Sequence, residues 1–235
     1  MDIRFRWRVP ESGYAWRQTT GGQQLIWKDE KRGGMTTGYR PETRLFREFA
    51  KLDTTPARRE KAILTFADKY GDIVALPGSS FYDPNDISPP PYRRIIRSQA
   101  TLSAWLLAIQ RLRRAVNLWD QSNDKNIGRG ARLEARSALQ IQIESALRDM
   151  TTPSCARVCL NQKLELFVYP VNLLAFMWLT LARLVSGEIV ERRCMGESEN
   201  CLGHIYIGTS PGLKKPGTLT CGGACRKGKS RRANG

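Results

Sequence analysis

Residues 194–225 read CMGESENCLGHIYIGTSPGLKKPGTLTCGGAC and hold four of the chain's six cysteines as two pairs. Six residues separate Cys194 from Cys201, three separate Cys221 from Cys225, and nineteen residues rich in glycine and proline lie between the pairs. Each pair can supply two thiolates from one local turn, and the insert allows the pairs to meet as a tetrahedron. The spacing predicts one structural zinc ion held by all four cysteines.

The second pair fits a metal knuckle better than the first. Gly222 and Gly223 allow a tight turn into a helix that begins near Ala224, so Cys221 and Cys225 share one face at a helix start. The positive end of that helix favours thiolate over thiol. The first pair has a longer loop than usual, so His204 stays open as a ligand in place of Cys201. Free thiols or disulfides in a flexible tail are the other alternative.

The charge of the chain indicates a polyanionic partner. The 235 residues are 41% hydrophobic and 26% charged, as in an ordinary globular protein, but the formal net charge is +16 and the pI is about 10.0. Nucleic acid is the first expectation, an anionic membrane the second, and a basic surface without a ligand remains open. The start, MDIRFRWRV, lacks the apolar core of a signal peptide. We therefore expect a reducing cytoplasm, where paired cysteines bind metal rather than form disulfides.

The N-terminal region predicts a small antiparallel sheet. Residues 2–9 alternate between apolar and arginine side chains, which is typical of a half-buried strand. Residues 14–16 and 24–27 predict further strands, separated by Gly21 and Gly22. We expect tryptophan inside and arginine in water, and a nucleic-acid surface on this sheet is the alternative.

Helices are predicted next. Pro41 opens one with Leu45, Phe46, Phe49 and Leu52, and Pro56 opens another that Gly71 ends. Apolar residues at three-and-four spacing predict a long helix over 93–120, with Arg97, Arg111 and Arg114 on its solvated side. A further helix is predicted over 131–150.

The remaining segments predict a hairpin and a buried helix. Residues 155–160 and 164–169 read as two strands with a turn at Asn161 and Gln162. Cys155 and Cys159 are interpreted as buried thiols, with a second metal pair as the alternative. The stretch VNLLAFMWLTLARLV (171–185) is too short to span a membrane and predicts a buried helix that ends at Ser186 and Gly187. No membrane association is expected.

These patterns predict an α+β, mainly helical protein. Residues 1–187 form a domain with a small N-terminal antiparallel sheet and a helical core. Residues 188–235 form a small zinc module with a basic tail.

The C-terminal segment resembles bacterial CGNR-type zinc-finger proteins, in which a mostly helical domain precedes a treble-clef-like finger. The resemblance rests on Arg192-Arg193-Cys194, Cys201, His204–Ile207, Cys221, Cys225 and the basic residues from Arg226 to Arg232, with a helical stretch at 45–73. Two positions differ, because Arg226-Lys227 replaces the Gly-Asn-Arg of the family and Thr220 replaces its tryptophan. The resemblance implies a zinc-binding, DNA-binding regulator that uses the four cysteines as ligands.

Nucleic-acid binding, with DNA favoured over RNA, is the leading functional hypothesis. No acid follows Leu202, and the basic residues there are the candidate phosphate contacts: Lys214, Lys215, Arg226, Lys227, Lys229, Arg231 and Arg232. About five such contacts predict a log–log salt slope near −4.5. The alternative is a protein-interaction or scaffold module in which zinc only stabilises a small fold.

The sequence argues against an enzyme. His204 is the only histidine and lies within the predicted finger. A zinc ion with four thiolates has no open position for water, and neither a Walker-type loop nor GxGxxG after a strand is present.

Overall fold

The structure is a computed structural model. It describes residues 2–3, 7–28, 36–73, 100–149, 156–160, 166–170, 172–195, 204–208, 213–221 and 225. The chain divides into two compact units, Met1–Leu179 and Thr180–Gly235, called here the N-terminal and C-terminal units. The domain boundary predicted after residue 187 lies somewhat further along the chain and stays a prediction.

Mixed strand and helix structure, expected from the sequence, is what the described residues form. The strands of the N-terminal unit are β1 (Asp2–Ile3), β2 (Trp7–Pro10), β3 (Tyr14–Thr19), β4 (Gly22–Trp27), β5 (Thr36–Tyr39), β6 (Ala156–Leu160) and β7 (Leu166–Pro170). Its helices are α1 (Leu45–Ala50), α2 (Arg59–Tyr70), α3 (Leu102–Asn123), α4 (Arg129–Asp149) and the first part of α5 (Leu173–Val185). The C-terminal unit contains the end of α5, β8 (Val190–Arg193) and β9 (His204–Ile207).

The N-terminal strands belong to several small sheets rather than to one. β3 and β4 form an antiparallel hairpin, as predicted, and β2 pairs with β5 in antiparallel register. β1 instead runs parallel to β7, which also pairs with β6. The single strand predicted over 2–9 therefore supplies two sheets, since its alternation fixes which side chains share a face but not which strand they pair with. Trp7 is buried, as expected for the inner side of a sheet.

The core of the N-terminal unit is aromatic. Phe49 of α1 packs edge-on against Phe66 of α2 at a centroid distance of 5.2 Å. Trp105 of α3 lies 5.9 Å from Phe49 and 6.2 Å from Phe66, and it is fully buried. These three rings join the helices whose apolar spacing was visible in the sequence.

The helix bounds differ from the predicted ones mainly in the first two elements. α1 begins at Leu45 rather than at Pro41, because residues 43–44 form a turn in which the Leu45 amide donates to the Glu42 carbonyl at 3.0 Å. α2 begins at Arg59 rather than at Pro56, because residues 56–58 form a turn in which the Arg58 amide donates to the Thr55 carbonyl at 3.0 Å. It ends just before Gly71, which has a φ of 90°, as the sequence predicted. α3 begins with Thr101, whose hydroxyl accepts from the Ala104 amide. The predicted start of that helix, residues 93–99, lies outside the described residues.

The α3–α4 pair and the β6–β7 hairpin match the predicted elements. α4 buries Leu139 and Ile143, and Arg111 of α3 donates to the Ser145 hydroxyl of α4 at 3.4 Å. Cys155 and the side chain of Cys159 lie outside the described residues. α5 is apolar but spans 13 residues. Within the described residues, no helix combines the length and apolar character needed to cross a membrane.

Candidate metal centre

The C-terminal unit is built on a short antiparallel hairpin. β8 pairs with β9 so that Glu191 faces Tyr206 and Arg193 faces His204. β9 buries Ile205, Tyr206 and Ile207, which gives this small unit its apolar centre. Cys194 follows β8 directly, so the hairpin fixes where the first cysteine lies.

The segment 213–221 is hydrogen-bonded to the β8–β9 hairpin and ends at Cys221. The Lys214 amide donates to the Tyr206 carbonyl at 2.8 Å, and the Gly208 amide donates to the Lys214 carbonyl at 3.2 Å. Further along, the Met195 amide donates to the Leu219 carbonyl at 2.9 Å. These bonds hold the segment before Cys221 against both ends of the hairpin.

A β-turn within this segment accounts for the proline and glycine at positions 216 and 217. The Thr218 amide donates to the Lys215 carbonyl at 3.2 Å, and Gly217 has a φ of 86°. Proline at the second position and a glycine with positive φ at the third are the residues that a type II turn requires. Pro216-Gly217 therefore reverses the chain so that it can reach the cysteines.

Three of the four predicted ligands lie together. The sulfur atoms of Cys194, Cys221 and Cys225 are all within 4.8 Å of one another, and those of Cys221 and Cys225 are 3.3 Å apart. None of the three forms a disulfide, Cys225 is 2% exposed, and the other two are partly exposed. Cys201 lies outside the described residues. Two long-range segments thus meet at one cluster of thiols, as the spacing predicted.

The local geometry favours the thiolate form of Cys194. The Cys221 amide points at the Cys194 sulfur at 3.2 Å, and such a hydrogen bond stabilises negative charge on sulfur. Cys225 adopts helical conformation, as expected for the second cysteine of the pair, although the predicted start of that helix at Ala224 is outside the described residues.

The cluster has the dimensions of a metal site. A tetrahedral zinc ion with Zn–S bonds of about 2.3 Å places its sulfur ligands about 3.8 Å apart. The three sulfurs already lie within 4.8 Å of one another, so displacements of about 1 Å or less would bring them to that spacing. The cysteine triad is therefore close enough to hold a metal ion.

His204 has a different neighbour and is not part of the sulfur cluster. Its Nδ1 lies 3.2 Å from a carboxylate oxygen of Glu191, and the same oxygen accepts a hydrogen bond from the Tyr206 hydroxyl at 2.9 Å. The Glu191 side chain is 9% exposed. Sequence reasoning missed this Glu–Tyr–His group, because the pairing of Glu191 with Tyr206 depends on the register of β8 against β9.

The predicted phosphate contacts are only partly within the described residues. Lys214 and Lys215 are exposed and precede the turn at Pro216-Gly217. The others lie outside the described residues: Arg226, Lys227, Lys229, Arg231 and Arg232. Lys214 pairs with β9 through its backbone, and the residue is exposed.

Comparisons of this chain with protein-family models, with curated proteins and with solved structures gave no match.

Proposed function

We propose that this chain is a zinc-binding, DNA-binding protein whose C-terminal unit holds one structural zinc ion through Cys194, Cys201, Cys221 and Cys225. The observation that carries the proposal is the convergence of three thiols from two distant segments. The role of a bacterial transcription regulator of the CGNR type, which residues 192–232 resemble, belongs to the same proposal.

Zinc is the metal that best suits this ligand set. Thiolates favour soft or borderline metals, and sets of four cysteines are typical of structural zinc sites. A site with four thiolates has no open coordination position, so the ion would stabilise the fold rather than perform a reaction. Because the unit is small, binding of the ion would supply much of its folding free energy.

DNA is proposed as the partner because of charge and its placement. The chain carries a net charge of +16, and no acidic residue follows Leu202. Lys214 and Lys215 are exposed on the segment that leads to Cys221, so a folded zinc site would fix them on a compact surface. Lysines at such a surface bind phosphates without reading base sequence.

The zinc content of purified protein tests the metal site. We expect about one zinc ion per chain, measured by mass spectrometry of the metal, and loss of that ion in Cys225→Ser. Cys159→Ser in β6 is the matched control and should keep the ion. Full zinc content in Cys225→Ser would refute the four-cysteine site.

The fourth ligand can be assigned in the same assay. Cys201→Ser should lose the ion, whereas His204→Ala should retain it, because the ring nitrogens of His204 do not join the group formed by the sulfurs of Cys194, Cys221 and Cys225. The reverse result would make His204 the ligand.

The DNA contact is tested with Lys214→Gln/Lys215→Gln in the full-length protein. Binding to a random-sequence duplex is measured by fluorescence anisotropy over a range of salt concentrations. The slope of log affinity against log salt concentration should become smaller in magnitude by about 1.8. The control Lys51→Gln/Lys61→Gln removes the same charge from exposed positions of the N-terminal unit. If the wild-type protein does not bind DNA but binds a protein partner independently of salt, the scaffold hypothesis replaces this proposal.

A further inference from the structure

Helix α4 carries three arginines along one side of its first two turns: Arg129, Arg132 and Arg136. Arg129 and Arg136 are exposed, and Arg132 is partly exposed. At 3.6 residues per turn they fall within an arc of about 60°, and Glu134 lies about 170° from the centre of that arc. These three residues, called here the α4 ridge, therefore form a positive strip with no acid of the same two turns beside it.

The charges of the α4 ridge have no partner within the part of the chain that the structure describes. None of its guanidinium groups forms an ion pair or a hydrogen bond with a residue that the structure describes. Other arginines differ in this respect. Arg47 is paired with Asp120, and Arg113 donates to backbone carbonyls at the end of α1. The ridge arginines thus differ from these two structural arginines, which have partners among the described residues.

The position of the α4 ridge on its helix is unfavourable without an anionic partner. The first turn of α4 contains Arg129 and Arg132 and no acidic residue. Cations near a helix N-terminus oppose the helix dipole, whereas acids there would keep the helix soluble and also stabilise it. Solubility alone therefore does not account for arginines at these positions.

The spacing of the ridge fits a nucleic-acid backbone. Arg129 and Arg136 are separated by about 10.5 Å along the helix axis, at 1.5 Å per residue. If α4 lies along the duplex axis, that length covers about three phosphates of one DNA strand, because the axial rise is 3.4 Å per phosphate. Lys125, in the loop just before α4, is also exposed and has no ion-pair partner within the described residues. It adds one exposed cation to the sequence immediately before the ridge.

We infer that the α4 ridge and Lys125 form a second DNA-binding surface, in the N-terminal unit, that contacts phosphates and does not read bases. This surface is independent of the zinc module, because its residues and their supporting helix belong entirely to the N-terminal unit. It would position the protein on a duplex while the C-terminal unit makes its own contacts.

The test uses full-length, zinc-loaded protein and the variant Arg129→Gln/Arg132→Gln/Arg136→Gln. Anisotropy titrations with a random-sequence DNA duplex are repeated over a range of salt concentrations. Loss of three phosphate contacts should reduce the magnitude of the log–log slope by about 2.7 and weaken binding more than tenfold at low salt. Glutamine is a good helix former, so the melting temperature should stay the same or rise as the clash with the helix dipole is removed.

The matched control is Arg17→Gln/Lys51→Gln/Lys61→Gln, which removes three exposed charges elsewhere on the N-terminal unit. Its log–log slope should change by less than one third of the change seen in the ridge variant. An unchanged slope in the ridge variant, or an equal change in the control, overturns the proposal. If the triple variant melts early, the single variant Arg136→Gln replaces it, with an expected slope change of about 0.9.

Two further measurements distinguish this DNA-binding surface from a membrane-binding surface and from DNA binding by the C-terminal unit alone. Anionic lipid vesicles are titrated with the same variants, and loss of vesicle binding with unchanged DNA binding would overturn the proposal in favour of a membrane surface. Lys214→Gln/Lys215→Gln is measured alongside. If only the ridge variant weakens binding, the second surface stands and the finger contact fails, whereas the reverse result sinks the ridge and keeps the finger.

Discussion

Arg113 joins the end of α1 to α3 through a single side chain. Its Nε donates to the Ala50 carbonyl at 2.7 Å, Nη1 donates to the Thr54 hydroxyl at 3.1 Å, and Nη2 donates to the Leu52 carbonyl. The last carbonyls of a helix have no partner within the helix, so they need donors from elsewhere. The planar guanidinium supplies several donors in a fixed geometry, which a lysine cannot do.

We therefore expect Arg113→Lys to lower the free energy of unfolding by about 1–3 kcal/mol, since two hydrogen bonds to a charged group are lost or weakened. Urea unfolding followed by tryptophan fluorescence measures this change. Arg114→Lys is the matched control, because Arg114 is the next residue of the same helix and is exposed. It should change the stability by less than about 0.5 kcal/mol. Equal effects of the two substitutions would contradict the role given to Arg113.

Residue-scale contacts of this kind were the least predictable part of the chain. The three-and-four spacing of α3 predicted its buried side, including Trp105 and Ile109, and both are fully buried. It assigned Arg111 to the solvated side, yet Arg111 donates to Ser145. Periodicity gives the direction in which a side chain leaves its own helix, but it does not say which neighbouring element that side chain contacts. The same limit hid Glu191 between Tyr206 and His204.

At the scale of elements, two tyrosines, one buried and one half-buried, connect the strands to the end of α2. The Tyr39 hydroxyl of β5 donates to the Tyr70 carbonyl at 2.6 Å, and the Tyr14 hydroxyl of β3 accepts from the Asp72 amide at 3.1 Å. Burial is the main reason that the pKa values of Tyr14 and Tyr39 are raised well above that of a free tyrosine. Each hydroxyl is therefore held in its neutral form by the fold.

These shifts predict loss of stability at alkaline pH. A raised pKa means that the folded state retains the proton that the unfolded chain loses, so the contribution is fully present below pH 10 and declines above it. Between the pKa of a tyrosine in the unfolded chain and its raised pKa in the folded state, the free energy of unfolding should fall by about 1.4 kcal/mol per pH unit for each tyrosine. Tyr39→Phe should be less stable than wild type at pH 7, and the difference should shrink above pH 10. Urea midpoints at pH 7, 9 and 11 measure this, and a constant difference would contradict it.

Element types were predicted better than element partners. Gly71 ended α2 as expected because a residue with positive φ suits a helix end, and the alternation in β3 and β4 gave the hairpin. The parallel pairing of β1 with β7 was not predicted, because those strands lie far apart in the sequence. Long-range pairing depends on the whole packed structure, and local patterns contain little information about it.

At the scale of the whole molecule, the candidate metal centre was the most predictable long-range feature. Cysteine spacing alone brought 194, 221 and 225 together, since a tetrahedral ion demands ligands from two local turns. The choice between Cys201 and His204 was left open because the six residues between Cys194 and Cys201 form a longer loop than a usual metal knuckle. The structure favours Cys201, because the ring nitrogens of His204 do not join the group of sulfurs from Cys194, Cys221 and Cys225.

The division of the chain into two units gives the last prediction. All six tryptophans precede residue 180 and so belong to the N-terminal unit, whereas the cysteine cluster belongs to the C-terminal unit. Removal of zinc with a chelator should unfold the C-terminal unit, because metal binding supplies its folding free energy. Hydrogen exchange in peptides from 188–225 should then become fast, while tryptophan emission stays unchanged.

The control for that experiment is Cys225→Ser, which should show the same fast exchange before any chelator is added. Renewed protection after zinc is returned to the wild-type protein would exclude irreversible damage to the thiols. A red shift of tryptophan emission on chelation would show that the N-terminal unit depends on the metal, and the two units would then unfold as one. Slow exchange in 188–225 without metal would instead mean that β8, β9 and the 213–221 segment are stable on their own, and the zinc ion would lose its structural role.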